Sequence, residues 1–534
     1  MKYRTFLKVA GLVAAVSFAP FAAQAETPKD QLIVGVTLVN MLSLDPSAMS
    51  GRQSTEINSN VYDSLIEADP VEKGVFNPSL ATNWELNDAR DAVTFHLRDD
   101  VKFHSGNPLT AHDFVWSMKR AFELGIGGSN VRVLGYSAEN FDEMIYAPDD
   151  YTVVVRFPQP TDPALMMGII AGKGLAMVID SKEAMSHEVD GDYGQGWLTT
   201  HSAGSGPYKL ARWDANNMVI LDRYDDYWGG EPEMKRVIYR HMPESQTQRL
   251  ALEQHDIDIS MGMSVADIKA LQDDEDLVTA KVPSGNVYYL AMSMQEDEFK
   301  DPKVREAVRH LIDYEGINDT ILPFYGDLYQ RPIPAGLPGA LPNPMYKFEP
   351  DYAKELLTEA GYPDGFETTI RVLPDSPFVN IATAIQASLA EGGIDAEILT
   401  GNGDQVYGNM RARTFDMIVG RGGDRTGAHP YTSLLSIVYN PDNSDEAKLY
   451  TLQAWRTSFQ DEEINALLDA ALLEPDPEKQ DEMYAEIQRK FEEDIPAMQI
   501  ISMSYDTVVY QDDIEGYIAH PYQNTRYREV RKDR

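Results

Sequence analysis

The chain has 534 residues, 85 of them acidic against 46 basic, for a formal net charge of −39, and it contains no cysteine. A surface of that sign disfavours nucleic acids and anionic membranes. The missing cysteine excludes disulfides, thiolate catalysis, thiolate metal ligation and a lipid anchor on a cysteine after a leader.

In chain order, Lys2, Arg4 and Lys8 precede an apolar run over residues 9–19 and the small-x-small site Ala23-Gln24-Ala25. This pattern predicts a secretory leader over residues 1–25, cleaved to leave Glu26 first. The run is short for a membrane span, and Pro20 closes it. An exported chain without a lipid anchor is expected in a periplasm. Beyond the leader no stretch offers 18 uninterrupted apolar residues. The length exceeds what one core organises, so two or three lobes are expected.

Residues 32–38 (LIVGVTL) and 153–157 (VVVRF) predict buried strands, the second ended by Pro158 and Pro160. Residues 351–361 predict an amphipathic helix. Ala353, Leu356, Leu357 and Ala360 share its inner face, and Gly361 follows its last turn. Asp476 and Pro477 open another helix, with Met483, Ile487 and Phe491 at four-residue spacing. The mixture predicts an α/β or α+β chain.

H-E-x-x-H, Walker, G-x-G-x-x-G and G-x-S-x-G patterns do not occur, nor does an EF-hand loop, so neither an enzyme nor a cofactor or metal is expected. Gly204-Ser205-Gly206 has the wrong flanks for a nucleophile turn. Acidic neighbours such as Asp99-Asp100 and Asp225-Asp226 read as solvated loops, not paired catalytic carboxylates.

Residues 80–122 read LATNWELNDARDAVTFHLRDDVKFHSGNPLTAHDFVWSMKRAF. This stretch resembles the signature of the family-5 extracellular solute-binding proteins, the oligopeptide, dipeptide and nickel receptors. Further landmarks similar to that family follow in order: LDPS at 44–47, GSGPYKLARW at 204–213, RYDDYWGGEP at 223–232, DPKVREAVRHLIDYEGI at 301–317, AKELLTEAGYPDGF at 353–366 and EEDIPAMQI at 492–500. The resemblance implies a two-lobed periplasmic binding protein fold of the class II, cluster C type, with three subdomains and a ligand cleft closed by a hinge. It implies a strand at 94–97, a turn at Asn107-Pro108 and a helix capped by Thr110, where Asp113 completes an acidic capping box. The implied subdomains are 26–58 with 198–282 and 505–534, an insertion over 59–197, and a second lobe over 283–504. The implied role is the receptor of an ABC importer, a monomer that hands its solute to permease subunits served by a cytoplasmic ATPase.

The ligand-contacting positions are read from the same resemblance. Peptide receptors of this family follow a strand with G-W-x-(G/A)-D, whose Asp takes the ligand's ammonium group. Here residues 415–419 predict the strand, and Asp424 falls on the acidic position. Gly420, Gly422 and Gly423 would let backbone approach a ligand. The alternative is an internal pair of Asp424 with Arg425 or another arginine. Arg421 stands where the family usually has Trp, and a guanidinium suits carboxylate or phosphate. With Arg411, Arg413 and Arg425 it points to an anionic or zwitterionic ligand, such as an opine, sugar conjugate or chelate, or to a surface ion-pair cluster. His429 corresponds to the region where nickel receptors place a histidine, although Asp424 argues for the amine-binding branch. Met49-Ser50-Gly51-Arg52 is expected as a short extended segment beside the ligand backbone, offering strand-like hydrogen bonds, with Arg52 a further carboxylate partner, or else as a solvent-facing loop. Met261-Gly262-Met263 is expected at the cleft, with core packing as the alternative. Tyr288 and Tyr289 are expected near a hinge strand, where they would stack on the ligand.

Overall fold

The computed structural model describes residues 26–534 apart from 40, 42, 50, 73, 126–134, 138, 160, 173, 424–428 and 521–524. The leader, Ser50, Asp424 and Arg425 therefore lie outside the described residues.

Gln31–Val36 runs parallel to both Arg236–His241 and Ile259–Met261. A strand flanked on both sides and covered on both faces needs apolar residues almost throughout, and Leu32, Val34 and Val36 are all buried. The sheet it belongs to has 11 strands. From one edge it passes Asp395–Thr400, Glu367–Val372, Met417–Gly423, Leu277–Met292, Met498–Gln511, Ile259–Met261, Gln31–Val36, Arg236–His241, Met218–Arg223 and Tyr208–Asp214, with Gly326–Asp327 beside Met498–Gln511. Leu277–Met292 and Met498–Gln511 are its longest members and pair antiparallel from Leu277↔Gln511 to Ala291↔Met498. Their register slips between Pro283 and Val287, and again at Tyr288/Tyr289. Before the slip the pair continues into the N-terminal half of the sheet through Ile259–Met261; after it, into the C-terminal half through Met417–Gly423. The positions 282/283 and 504/505 lie at this slip.

A separate four-stranded sheet, ordered Ala81–Leu86, Ala92–Leu97, Thr152–Arg156, Ile145–Asp149, forms within residues 81–156. Its helix Ala111–Glu123 starts as expected: the Asp113 carboxylate accepts from the Thr110 backbone N–H at 2.9 Å. One local expectation is corrected. The turn lies at His104–Ser105–Gly106, where Gly106 adopts φ +92°, and Asn107 and Pro108 form the returning arm, which bridges back to Lys102. Only glycine takes that φ without strain, so the bend settles one residue earlier. The helices Pro350–Glu359 and Pro477–Glu493 match their apolar spacing, the latter capped by the Asp476 carboxylate accepting from Glu478 N–H.

Charged ties close the N-terminal half. Asp258 accepts from Ile33 N–H at 2.7 Å and pairs with Lys532 at 2.7 Å, both side chains fully buried. Asp45, of the LDPS motif, and Arg120 form a second fully buried pair. Gly204 and Gly206 press on the Val61 backbone so closely that a Cβ would lie 2.0 and 2.7 Å from it. Ser205 between them donates to Asp63 at 2.9 Å, so this turn serves packing. One apolar cluster includes Phe95, Met166 and Val178 together with Tyr289, Leu434, Tyr484 and Ile500 of the C-terminal half. Among the described residues no helix is long and apolar enough to cross a membrane.

Candidate functional site

The register slip brings charged side chains together where the halves of the sheet meet. Arg421 lies opposite Tyr288 in the ladder. Its Nε donates to Ser504 Oγ at 3.0 Å and its Nη2 to Asp506 Oδ1 at 3.0 Å. Ser504 in turn lies 2.5 Å from Ser284 Oγ on the other long strand. The guanidinium carbon is 5.9 Å from the Tyr288 ring centre. Burial works against the Arg421 charge, but Asp506 more than offsets it and raises the pKa.

Gly51 and Arg52 do not form the extended segment expected of them but open the helix Gly51–Val61, and from it Arg52 approaches the same carboxylate from the N-terminal half. Its Nη1 is 3.8 Å from Asp506 Oδ2, and its Nε is 3.9 Å from Glu56 Oε2. Burial opposes this charge too, and Asp506 followed by Glu56 raises the pKa regardless. Glu56 is itself buried; burial raises its pKa, and the nearby Arg52 does not bring it back down. The Tyr527 hydroxyl donates to its Oε1. Asp506 thus stands between guanidinium groups from the two halves, an arrangement suited to recognising charge.

The remaining predicted residues separate. The strand Met417–Gly423 begins two residues later than expected and extends through Arg421, Gly422 and Gly423. A Cβ on Gly420 would lie 2.7 Å from the Tyr289 hydroxyl, and one on Gly422 2.7 Å from Gln453 Nε2, so side chains of the chain itself fill the space these glycines leave. Gly423, at φ +142°, faces Gly285 O. Arg413 is buried and held by Asn443, Asp445 and Ser458, with Trp455 against its guanidinium, away from the Arg421 group. Arg413 and Arg421 therefore do not belong to one cluster. Met261 and Met263 are buried in different apolar cores of the N-terminal half, the packing alternative weighed for them. Gly262 between them takes φ +89°, and Met263 O accepts from the Tyr325 hydroxyl. Tyr288 and Tyr289 lie in the slipped stretch and are buried to 1% exposure or less.

His429 caps the helix Pro430–Val438. Its Nδ1 accepts from Tyr431 N–H at 3.2 Å, which leaves the proton on Nε2, 3.0 Å from Asp162 Oδ2. Asp162 caps the helix Pro163–Ala171, so this pair joins that helix to the C-terminal half. Burial pushes the Asp162 carboxyl up, but the hydrogen bond from His429 prevails and its pKa is lowered. Asp162, Asp506, Glu56, Ser284 and Ser504 were not singled out in the sequence. Asp162, Asp506, Ser284 and Ser504 are distant in the chain from their partners and sit in no motif, so only the partner's position reveals them; Glu56 lies four residues from Arg52 on one helix, a spacing that could have revealed it. Among the described residues no group of three or more His, Asp or Glu could hold a metal ion.

Comparisons agree with this architecture. The sequence matches the family described as bacterial extracellular solute-binding proteins, family 5 Middle, over residues 75–445. It is 27% identical to a probable D,D-dipeptide-binding periplasmic protein of Escherichia coli K12, over 96% of this chain and 95% of that one. Two solved structures share the fold. The periplasmic binding protein DppA of Helicobacter pylori, in complex with the peptide STSA, has a TM-score of 0.79 at 23% identity, covering 94% of this chain and 98% of that one. MoaA of A. tumefaciens R10, in complex with mannopinic acid, has a TM-score of 0.81 at 20% identity, covering 95% and 100%.

Proposed function

The chain belongs to the bacterial extracellular solute-binding proteins of family 5, and from that premise we propose that it is the periplasmic receptor of an ABC importer for peptides or related zwitterionic solutes. The observation that carries this reading is the Arg52–Asp506–Arg421 line where the sheet halves meet. Groups of both signs at one crossing suit a ligand that carries both signs. In this reading residues 26–58, 198–282 and 505–534 with the insertion 59–197 form one lobe, and 283–504 the other. The lobes open and close about the long strands, and the closed, loaded form is handed to the permease.

Asp424 is assigned to the ligand's ammonium group and the guanidinium side to its carboxylate. A buried carboxylate left without a cation costs about 3–5 kcal/mol. Closure without ligand is then disfavoured and closure on ligand favoured. The names of the E. coli and H. pylori relatives support the peptide reading. A second reading, an opine or similar anionic solute, draws on the arginines of the crossing and on the mannopinic acid complex. Native mass spectrometry of the purified protein, followed by denaturation and analysis of what is released, separates the two. Short peptides would support the first reading; a single amine-free anion would replace it with the second. Asp424→Asn is expected to abolish binding of a free-amine peptide, and unchanged affinity would remove Asp424 from the site.

A further inference from the structure

The two guanidinium groups at the crossing are not equivalent. Arg421 is already engaged: Nε on Ser504, Nη2 on Asp506, and the Tyr288 ring beside it. Arg52 is close to two carboxylates but bonded to neither. Its separations of 3.8 Å to Asp506 and 3.9 Å to Glu56 exceed hydrogen-bonding distance. Its Nε is buried without a hydrogen-bond partner among the described residues, and so is Glu56 Oε2, the atom it faces. A guanidinium presents a rigid fork of donors. Burying it with a donor unpaired is costly unless another partner arrives. The side chain keeps 14% of its surface exposed, so a partner can reach it.

We infer that Arg52, rather than Arg421, takes the ligand's carboxylate, and that Asp506 is the internal competitor which the ligand must outbid for that guanidinium. This rests on the receptor reading above and adds the ligand's chemistry to it: a carboxylate end. A ligand carboxylate can form two parallel hydrogen bonds with Arg52, whereas Asp506 at its present distance forms none.

The test is calorimetric titration with dialanine and tetra-alanine, each as the free acid, the C-terminal amide and the N-acetylated acid. The wild-type chain is expected to bind acids about tenfold or more tightly than amides, the value of a charge-assisted hydrogen bond. Arg52→Gln should erase that difference, and Arg52→Lys should restore part of it. Asp506→Asn should strengthen acid binding. Thermal unfolding of each variant shows that it is folded. A preference for acids that survives Arg52→Gln, or weaker acid binding in Asp506→Asn, overturns the inference. N-acetylated acids bound as well as free peptides would refute amine recognition while leaving Arg52 in its role. Acids and amides bound equally by the wild type would do the reverse, and no binding by any of the six would overturn both.

Discussion

Asp45→Asn removes one charge from a pair that has no access to water. Asp45 and Arg120 side chains are both 0% exposed, joined by Nη1–Oδ1 at 3.0 Å and Nη2–Oδ2 at 2.6 Å. The arginine's Nε is bound to Tyr193 O at 3.0 Å, so the guanidinium cannot swing out to solvent without breaking a third bond. Asparagine keeps the acceptor for Ser47 N–H, now 3.0 Å from Asp45 Oδ1. It offers Arg120 one acceptor and one repelling amide, and leaves the cation buried without a counter-charge. The expected loss is about 3–5 kcal/mol. With a urea m-value of about 2–3 kcal/mol per molar, the first unfolding midpoint should fall by roughly 1–2 M. Tryptophan fluorescence reports it, because Trp116 and Trp197 pack against the apolar cluster of the N-terminal half. The double variant Asp45→Leu with Arg120→Met should recover most of the loss, since an apolar pair avoids desolvating two charges. A loss below about 1 kcal/mol, the value of an exposed pair such as Arg98–Asp100, would refute the reasoning.

Gly420→Ala should cost about 1–3 kcal/mol, because its Cβ meets the Oη and Cζ of fully buried Tyr289 at 2.7 and 2.8 Å; urea unfolding measures it. Asp494 has its pKa raised to about 6 by burial and by the nearby Asp461 carboxylate. Its contribution is full below the ordinary carboxylate range and is lost as pH rises through about 6. Asp494→Asn should therefore raise the melting temperature at pH 8 but not at pH 4, by an amount on the order of 1 kcal/mol. Asp162 has its pKa lowered by His429 against the effect of burial, so its pairing stabilises the fold above the ordinary carboxylate range and is lost on acidification below about pH 4. Thermal scans from pH 6 to 3 should show a steeper fall for the wild type than for Asp162→Asn, and parallel curves would remove the pair from the stability of the fold.

The sequence by itself determined what depends on neighbours in the chain. Apolar spacing placed the helix Pro350–Glu359, Asp476-Pro477 placed the start of Pro477–Glu493, and continuous apolar residues marked Gln31–Val36 as an inner strand. Ordered motifs gave the family, because scaffold turns and caps are local and leave local signatures. The extension of the strand Met417–Gly423 was not legible, since three of its seven residues are glycines that carry no strand signal. Their reason lies across the ladder, in Tyr289, and in Gln453. The charged crossing was half legible: Arg52 and Arg421 stood out as cations, but Asp506, the group between them, did not. Whether an arginine is saturated by its own chain or left for a ligand depends on distances of about an ångström between residues hundreds of positions apart. Those distances are set by how the two long strands slip past one another, which only the tertiary structure decided.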